Sequence, residues 1–160
     1  MSYPNSTSVG STAVMAVQRQ TRQRDAILYV IREAAGPLSV PEIHQRAAKT
    51  LPTIGIATIY RTINLLLAAK EIQSVILPSG ETRYESANLG HHDHFQCRKC
   101  SHVYDLSVCP LHLASGTIIP GGFVVESHEM TLYGLCPNCM KGNGKSPISK
   151  RPREKHAHHH

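Results

Sequence analysis

Ten consecutive residues hold three imidazoles, a carboxylate and two thiols: His91-His92-Asp93-His94-Phe95-Gln96-Cys97-Arg98-Lys99-Cys100. A second Cys-x2-Cys pair follows at Cys136 and Cys139. Two such pairs can place four thiolates around one tetrahedral Zn²⁺, which is the usual form of a closed structural site. We therefore predict a structural zinc held by Cys97, Cys100, Cys136 and Cys139.

The histidines beside the first Cys pair would overfill that ion, so they indicate further metal binding. Neighbouring side chains of an extended segment point to opposite faces. His92 and His94 would then face one way, and His91 and Asp93 the other. Two metal sites could share this strand. A redox Cys pair and solvated surface histidines are the metal-free alternatives, which the second Cys pair disfavours.

The net charge of +6 is spread unevenly over the 160 residues. Residues 1–84 carry nine basic and five acidic side chains, residues 85–140 two and five, and residues 141–160 six and one. This asymmetry predicts two domains with different partners, and a basic N-terminal half suits DNA. No apolar run approaches the ~20 residues that span a bilayer. The polar start shows no secretory signal, so we expect a cytoplasmic protein with reduced thiols.

The N-terminal half shows helix signals after an irregular beginning. Residues 1–18 are rich in Ser, Thr, Val and Ala without a period, which predicts a flexible arm. A helical pattern runs from Thr21 to Gly36. Ser39 and Glu42 then form a capping-box pattern, so a second helix should open at Ser39.

A third helix is predicted over residues 56–69, with an apolar stripe on one face. The other face and its border carry polar side chains that suit a DNA reader: Thr58, Tyr60, Arg61 and Thr62. Two short strands over residues 72–77 and 82–85 would form a hairpin wing. Three helices and a wing predict a winged helix whose third helix enters a DNA groove. A three-helix domain without a DNA role would show the same pattern.

The second half reads as a small sheet around the Cys pairs. We predict strands over residues 94–97, 102–106 and 123–135, and a short helix over residues 109–114. So small a sheet buries little, and a zinc ion or a dimer partner should add stability. Residues 141–160 lack apolar periodicity, which predicts a disordered basic and His-rich tail. The fold class is thus α+β, with a winged helix over residues 19–84 and a small metal-binding α/β domain over residues 85–140.

Several motifs together resemble the ferric uptake regulator superfamily, in the order in which that superfamily carries them. They are Thr21-Arg22-Gln23-Arg24, Ile54-Gly55-Ile56-Ala57-Thr58-Ile59-Tyr60-Arg61-Thr62-Ile63, His91-His92-Asp93-His94 and the two Cys pairs. The resemblance covers about residues 19–140. Within the superfamily, Ser79-Gly80-Glu81 and Cys109-Pro110-Leu111-His112 resemble the zinc uptake regulators of cyanobacteria.

The resemblance implies a homodimer with a C-terminal dimerisation domain and two to three Zn²⁺ per protomer, structural and regulatory. The four cysteines match structural zinc ligands. A sensory site in the hinge between the domains would use Glu85, His92, His94 and Asp105, with Cys109 as a candidate further ligand. A site in the dimerisation domain would use His91, Asp93, His112 and His128.

The resemblance also implies DNA contacts from the N-terminal domain. Tyr60 and Arg61 match recognition-helix residues, and Arg19 matches a basic residue that can enter the minor groove. Arg22 and Thr58 complete the set of candidate DNA contacts. Pro37 is a departure, because iron and peroxide sensors carry a His there. Many zinc sensors also place a Cys at the position of Glu85.

The predicted function is a zinc-responsive transcription regulator, a repressor that can also activate, which binds double-stranded operator DNA and controls zinc homeostasis genes. An iron- or peroxide-sensing repressor of the same superfamily is the alternative. A small metallohydrolase and a zinc-buffering protein are alternatives from other classes. The sequence shows no nucleophile motif and no Gly-rich phosphate loop, so we expect no catalytic residue, no small-molecule substrate and no membrane partner.

Overall fold

The computed structural model describes residues 9–142, with side chains from residue 12 onward. The fold is α+β. Its first part consists of three helices and a hairpin: α1 (Val9–Arg32), α2 (Val40–Ala47), α3 (Ile56–Ala68), β1 (Ile72–Ile76) and β2 (Thr82–Ser86). None of the helices in residues 9–142 is both long and apolar enough to cross a membrane.

The three helices pack around one apolar core, to which each contributes a buried stripe. Ile27, Ile43 and Ile59 are all fully buried there. The predicted capping box of α2 is confirmed: Ser39 Oγ accepts a hydrogen bond from the Glu42 amide, and Glu42 Oε2 accepts one from the Ser39 amide at 2.8 Å. These bonds satisfy amides that a helix start otherwise leaves unpaired.

The predicted wing is confirmed as an antiparallel hairpin in which Ile72 pairs with Ser86. Its turn needs glycine, because Gly80 has a φ of 86°. Leu38 adds a bridge to Tyr84 on the outer side of β2. Three helices followed by this small sheet form the winged helix that the sequence predicted.

The first helix begins at Val9, twelve residues before the start predicted at Thr21. The flexible-arm interpretation is therefore wrong for residues 9–18, and residues 1–8 lie outside the described residues. The side chains of residues 12–22 are exposed. The sequence of this stretch therefore lacks the apolar periodicity by which an amphipathic helix is recognised. Ala, Met, Gln and Arg favour helix without a core contact, and that propensity outweighs the Ser and Thr residues.

The C-terminal part contains the elements β3 (Asp93–Cys97), β4 (Val103–Leu106), β5 (Ile118–Ile119), β6 (Phe123–Val124), β7 (Thr131–Gly134) and α4 (Pro137–Met140). One sheet has the order β4-β3-β7, with β3 antiparallel to β4 and parallel to β7. The central strand β3 begins with Asp93 and His94, directly after His91 and His92. Its position between two neighbours is what holds the predicted ligands in alternate directions.

Two expectations for this part are wrong. The strand expected over residues 123–135 is divided into β6 and β7, because β6 pairs with β5 in a separate hairpin and residues 125–130 then lead to the β4-β3-β7 sheet. The helix expected over residues 109–114 is a turn in which the His112 amide donates to the Cys109 carbonyl. The disordered tail expected over residues 141–160 lies outside the described residues from residue 143 onward.

The two parts meet where the loop after α1 crosses β4. The Asp105 amide donates a hydrogen bond to the Ala35 carbonyl at 2.8 Å. A Cβ on Gly36 would lie 2.2 Å from the Val103 carbonyl oxygen, so only glycine permits this approach. At Gly36 the junction between the domains is therefore a backbone contact that leaves no room for a side chain.

Candidate metal centres

Four thiols converge where β3 ends and α4 begins, and we call them the cysteine group: Cys97, Cys100, Cys136 and Cys139. The Sγ atoms of Cys100 and Cys136 lie 3.9 Å apart. Thiolates around a tetrahedral zinc, with Zn–S bonds of about 2.3 Å, stand about 3.8 Å apart. The Cys136 amide also donates to Cys97 Sγ at 3.4 Å. This spacing fits one zinc ion.

The electrostatics of the cysteine group also favour a cation. Burial tends to raise the pKa of Cys97, but amide hydrogen bonds from Cys100, Cys136 and Lys99 outweigh it and lower that pKa to about 6. Burial raises the pKa of Cys139 to about 12, and the neighbouring sulfurs add to the rise. Four clustered thiolates, three of them buried, repel one another unless a divalent ion neutralises them. The donor set therefore fits Zn²⁺.

A second cluster, the hinge group, lies between the wing and the C-terminal sheet: Glu85, His92, His94 and Asp105. Glu85 Oε2 lies 3.1 Å from His92 Nε2 and 3.4 Å from His94 Nε2. Asp105 Oδ1 lies 3.6 Å from each of these nitrogens. Glu85 belongs to β2, which runs to Ser86, two residues past the predicted domain boundary at residue 84, so it is part of the wing. The other three side chains belong to the second domain. An ion held here would connect the two domains.

Partners outside the hinge group orient its side chains. Gln73 donates a hydrogen bond to Glu85 Oε1 at 2.7 Å, which leaves Oε2 facing the histidines. His92 Nδ1 lies 2.7 Å from the Gly90 carbonyl oxygen, so Nδ1 carries the proton and donates it there. The lone pair of neutral His92 is then on Nε2, directed into the cluster. Glu85 is 1% exposed, so this carboxylate has little access to water.

The pKa values of the hinge group reflect that packing. The hydrogen bond to Glu85 raises the pKa of His92 to about 9, against the effect of its burial. Burial acts to raise the pKa of Glu85, but hydrogen bonds from His92, His94 and Gln73 lower it to about 2. Without a metal, protonated His92 neutralises Glu85. A bound cation would replace that proton.

A third cluster, the distal group, lies wholly within the second domain: His91, Asp93 and His128. The Nε2 atoms of His91 and His128 lie 3.0 Å apart. Asp93 Oδ2 lies 3.7 Å from His128 Nε2, and Asp93 Oδ1 lies 3.9 Å from His91 Nε2. The alternation expected for β3 thus places His91 and Asp93 on one side, and His92 and His94 on the other.

Two predicted ligands are not where the sequence placed them. His112 is exposed and does not join the distal group among the described residues. Cys109, expected as a candidate for the hinge, has its Sγ 3.2 Å from His128 Nε2 in the distal group. The turn from Cys109 to His112 explains both errors, because it directs the first residue inward and gives the second a φ of 50°.

The predicted DNA-contacting residues lie on the outside of the winged helix. Tyr60 is 53% exposed, and Arg61 is exposed with its Nη2 3.5 Å from Thr58 Oγ1. Arg19 and Arg22, one helical turn apart on α1, line a groove against residues 51–54. Thr62, which the pattern put on the exposed face, is only 6% exposed. It lies three residues after Ile59, within the buried stripe.

One charged residue at the junction between the domains, Arg83, was missed in the sequence analysis. The Arg83 side chain is 4% exposed and pairs with Glu42 Oε2 at 2.7 Å. Its Nη2 also donates to the Ser101 carbonyl at 3.0 Å, inside the turn that joins the first Cys pair to β4. Arg83 stands two residues before Glu85 on β2, and that alternation was the available signal that it points inward.

Comparisons with known proteins agree with this architecture. The profile of the Ferric uptake regulator family matches residues 16–133. The ferric uptake regulation protein of Campylobacter jejuni is 30% identical over 133 residues, covering 81% of this chain and 85% of that protein. The zinc uptake regulation protein of Mycobacterium tuberculosis is 27% identical over 122 residues, covering 76% of this chain and 94% of that protein.

A solved structure of a zinc-bound manganese uptake regulator superposes with a TM-score of 0.64 at 26% identity, covering 77% of this chain and 97% of that one. The names of these relatives span iron, zinc and manganese, so they agree on the family and differ in the metal. The family profile covers the winged helix and most of the metal-binding domain. The chain belongs to the ferric uptake regulator family of metal-responsive transcription regulators.

Proposed function

We propose that this protein is a zinc-responsive transcription regulator that binds operator DNA as a metal-loaded homodimer and controls zinc homeostasis genes. It acts as a repressor and can also activate. The observation that carries this proposal is the hinge group, in which ligand atoms from both domains lie within 4.8 Å of one another. An ion bound by Glu85 and His92 restrains the wing against the C-terminal sheet, and so acts on the DNA-binding domain.

The proposed mechanism is a restriction of interdomain motion. In a dimer, metal at both hinges fixes two third helices at the spacing of successive major grooves, roughly 34 Å. Without metal the winged helices sample other orientations and the dimer fits DNA poorly. The coupling free energy for such a switch is typically ~1–3 kcal/mol, and DNA should tighten metal binding by the same amount.

The surface of the winged helix supports a DNA role. Tyr60 and Arg61 extend from α3 into solvent, and no partner in the described residues buries them. Arg19 and Arg22 would add phosphate contacts beside the recognition helix. Such contacts release counterions, which makes the affinity fall with salt. Tyr60 presents an aromatic ring that suits the methyl group of thymine.

The proposed homodimer is supported by apolar side chains that the second domain leaves exposed. They lie on the β5–β6 hairpin and on the edge strand β7: Ile118, Phe123, Val124, Leu132 and Tyr133. The Phe123 side chain, for example, is 68% exposed. Large apolar side chains exposed in this number are typical of a protein interface. A second copy of the chain is the partner that the family implies.

Zinc is proposed as the regulatory metal on the basis of ligand number. Pro37 is fully buried and donates no ligand, and its carbonyl instead faces Arg83 at 3.4 Å. The hinge group therefore offers two imidazoles and two carboxylates, which suits a tetrahedral ion such as Zn²⁺. The same two-nitrogen, two-oxygen set also suits iron and manganese. A sensor of one of those metals is thus the second candidate function.

The test is a DNA-binding titration with buffered free metal, using an operator selected by this protein from a random DNA library with zinc present. Wild-type protein should bind that operator at low free Zn²⁺ and respond to Fe²⁺ or Mn²⁺ only at much higher concentrations. His92→Ala should remain a folded dimer with its structural zinc, yet lose zinc-dependent binding.

His112→Ala is the matched control, because this exposed imidazole lies outside all three clusters among the described residues. It should titrate like the wild type. If Fe²⁺ or Mn²⁺ drives binding at lower free concentration than Zn²⁺, the second candidate function replaces the first. If His92→Ala keeps the full zinc response, the hinge group is not the sensor.

A further inference from the structure

The distal group contains a buried carboxylate that the protein itself does not satisfy. The Asp93 side chain is 0% exposed, and neither of its oxygens has a hydrogen-bond partner among the described residues. The nearest charged candidates are His91 and His128, at 3.9 and 3.7 Å. A buried, unpaired carboxylate is costly unless a cation lies against it. The space between Asp93 and the two imidazoles is therefore suited to a metal ion.

Three side chains leave a tetrahedral ion one ligand short. We propose that Cys109, and not His112, is the fourth ligand, so that His91, Asp93, Cys109 and His128 form a nitrogen, oxygen and sulfur site for Zn²⁺. The proposal rests on the proposed function only in treating the distal group as a metal site. It does not depend on which site senses the metal or on DNA binding.

The distances support this ligand set. Cys109 Sγ lies 3.2 Å from His128 Nε2, and the two imidazole nitrogens lie 3.0 Å apart. A tetrahedral zinc with bonds of about 2.0–2.3 Å keeps such ligand atoms about 3.3–3.6 Å apart. These two distances are shorter than that spacing by a few tenths of an ångström. The ligand atoms of His91, Asp93 and His128 lie within 4.8 Å of one another, and Cys109 Sγ lies outside that set, so an ion bound by all four groups would draw the thiol further toward Asp93 and His91.

The strand register explains why Cys109 is available. Leu106, the last residue of β4, pairs with Asp93. Cys109 follows three residues later, so the backbone brings it to the end of the strand pair that carries Asp93. His112 stands at the far end of the turn, where its positive φ and exposed side chain direct it to solvent.

A sulfur ligand would change which metal ion the distal site prefers. Thiolate is a soft ligand that favours Zn²⁺ over Fe²⁺ and Mn²⁺, whereas imidazole and carboxylate accept all three. The hinge group contains no sulfur. The distal site would therefore be the more zinc-selective of the two sites that lie outside the cysteine group.

Co²⁺ reports a sulfur ligand directly, because thiolate-to-cobalt charge transfer absorbs in the near ultraviolet. We would titrate the full-length dimer with Co²⁺ while one zinc per protomer remains in the cysteine group, as verified by metal analysis. Wild-type protein should develop the charge-transfer band. Cys109→Ser should lose the band and bind Zn²⁺ at least about tenfold more weakly at one site, the lower limit expected for losing a ligand's outer partner. His112→Ala should match the wild type in both.

A second measurement on the wild-type protein avoids any folding defect of the variant. Zinc should shield Cys109 from iodoacetamide, and chelation that leaves the cysteine group filled should expose it. The proposal is overturned if wild-type protein shows no charge-transfer band, if Cys109→Ser keeps it, or if zinc leaves the alkylation rate of Cys109 unchanged. Weakened zinc binding in His112→Ala alone would assign the fourth ligand to His112. Failure of the regulatory function would appear separately, as operator binding that does not respond to metal.

Discussion

The N-terminal domain buries thirteen apolar residues in one core, whereas the core of the C-terminal domain consists of three buried cysteines. Apolar burial stabilises the first domain by roughly 25 cal/mol for each Å² removed from water. Buried thiols give no comparable gain, because their ionised forms repel one another. We expect the first domain to fold on its apolar core alone and the second domain to require an ion in the cysteine group. A metal sensor can then lose its regulatory ion without losing its DNA-binding fold.

The largest expected effect is on the domain with the cysteine core. Cys97→Ser should remove the structural zinc and unfold the C-terminal domain, because the binding free energy of such zinc, ~10–16 kcal/mol in small peptides, is also folding free energy. The helices of the first domain should persist. Zinc analysis and circular dichroism would show the loss of zinc with most helical signal retained. Cys109→Ser is the control and should keep this ion. A full zinc content in Cys97→Ser would contradict the expectation that Cys97 holds the structural zinc of the C-terminal domain.

A substitution in the apolar core tests the first domain in the same way. Ile59→Ala removes a fully buried side chain from α3 and should cost ~2–5 kcal/mol of stability in the first domain. Ile56→Ala, on the same helix but 45% exposed, should change stability by no more than about 0.5 kcal/mol. Urea unfolding followed by circular dichroism measures both, and the structural zinc should remain in each. Equal effects of the two substitutions would show that α3 does not pack as described.

A third change addresses the contact between the domains. Gly36→Ala places a methyl group against the Val103 carbonyl, a clash that should cost ~1–3 kcal/mol and separate the junction. Since the hinge group spans that junction, its metal affinity should fall about tenfold. Gly55→Ala, with no atom within 4 Å of the added carbon, is the control. Competition with a chelator measures the affinity, and equal values for the two variants would exclude the junction from metal binding.

The sequence predicted those parts of the molecule that local signals determine. The capping box at Ser39, the stripe of α3 and the paired cysteines each require only neighbouring residues or a fixed spacing. The alternation of His91 to His94 followed from the geometry of a strand. These features needed no knowledge of tertiary contacts.

The missed features depend on tertiary contacts or on weak propensity. Arg83 is buried because Glu42 and Ser101, far from it in sequence, surround its guanidinium. Cys109 faces the distal group and His112 faces solvent because one turn directs them apart. No apolar periodicity in the sequence predicts the extension of α1 to Val9. Such positions are set by the path of the backbone, which residue spacing alone does not give.

The hinge group differs from both cores, because a proton and a metal compete there. The pKa of His92 is raised from 6.5 to about 9, so the metal-free protein carries imidazolium beside Glu85 at neutral pH. Its stabilising effect is complete below pH 6.5 and is lost as the pH rises through about 9. The Glu85 pKa of about 2 keeps that carboxylate ionised throughout this window.

Zinc must displace one proton, so the zinc affinity of the hinge group should rise about tenfold per pH unit over the window and then level off. Calorimetry in buffers of different ionisation enthalpy should count about one proton released per ion near pH 7.5. A flat affinity profile, or zinc binding without proton release, would mean that His92 does not bind the hinge ion.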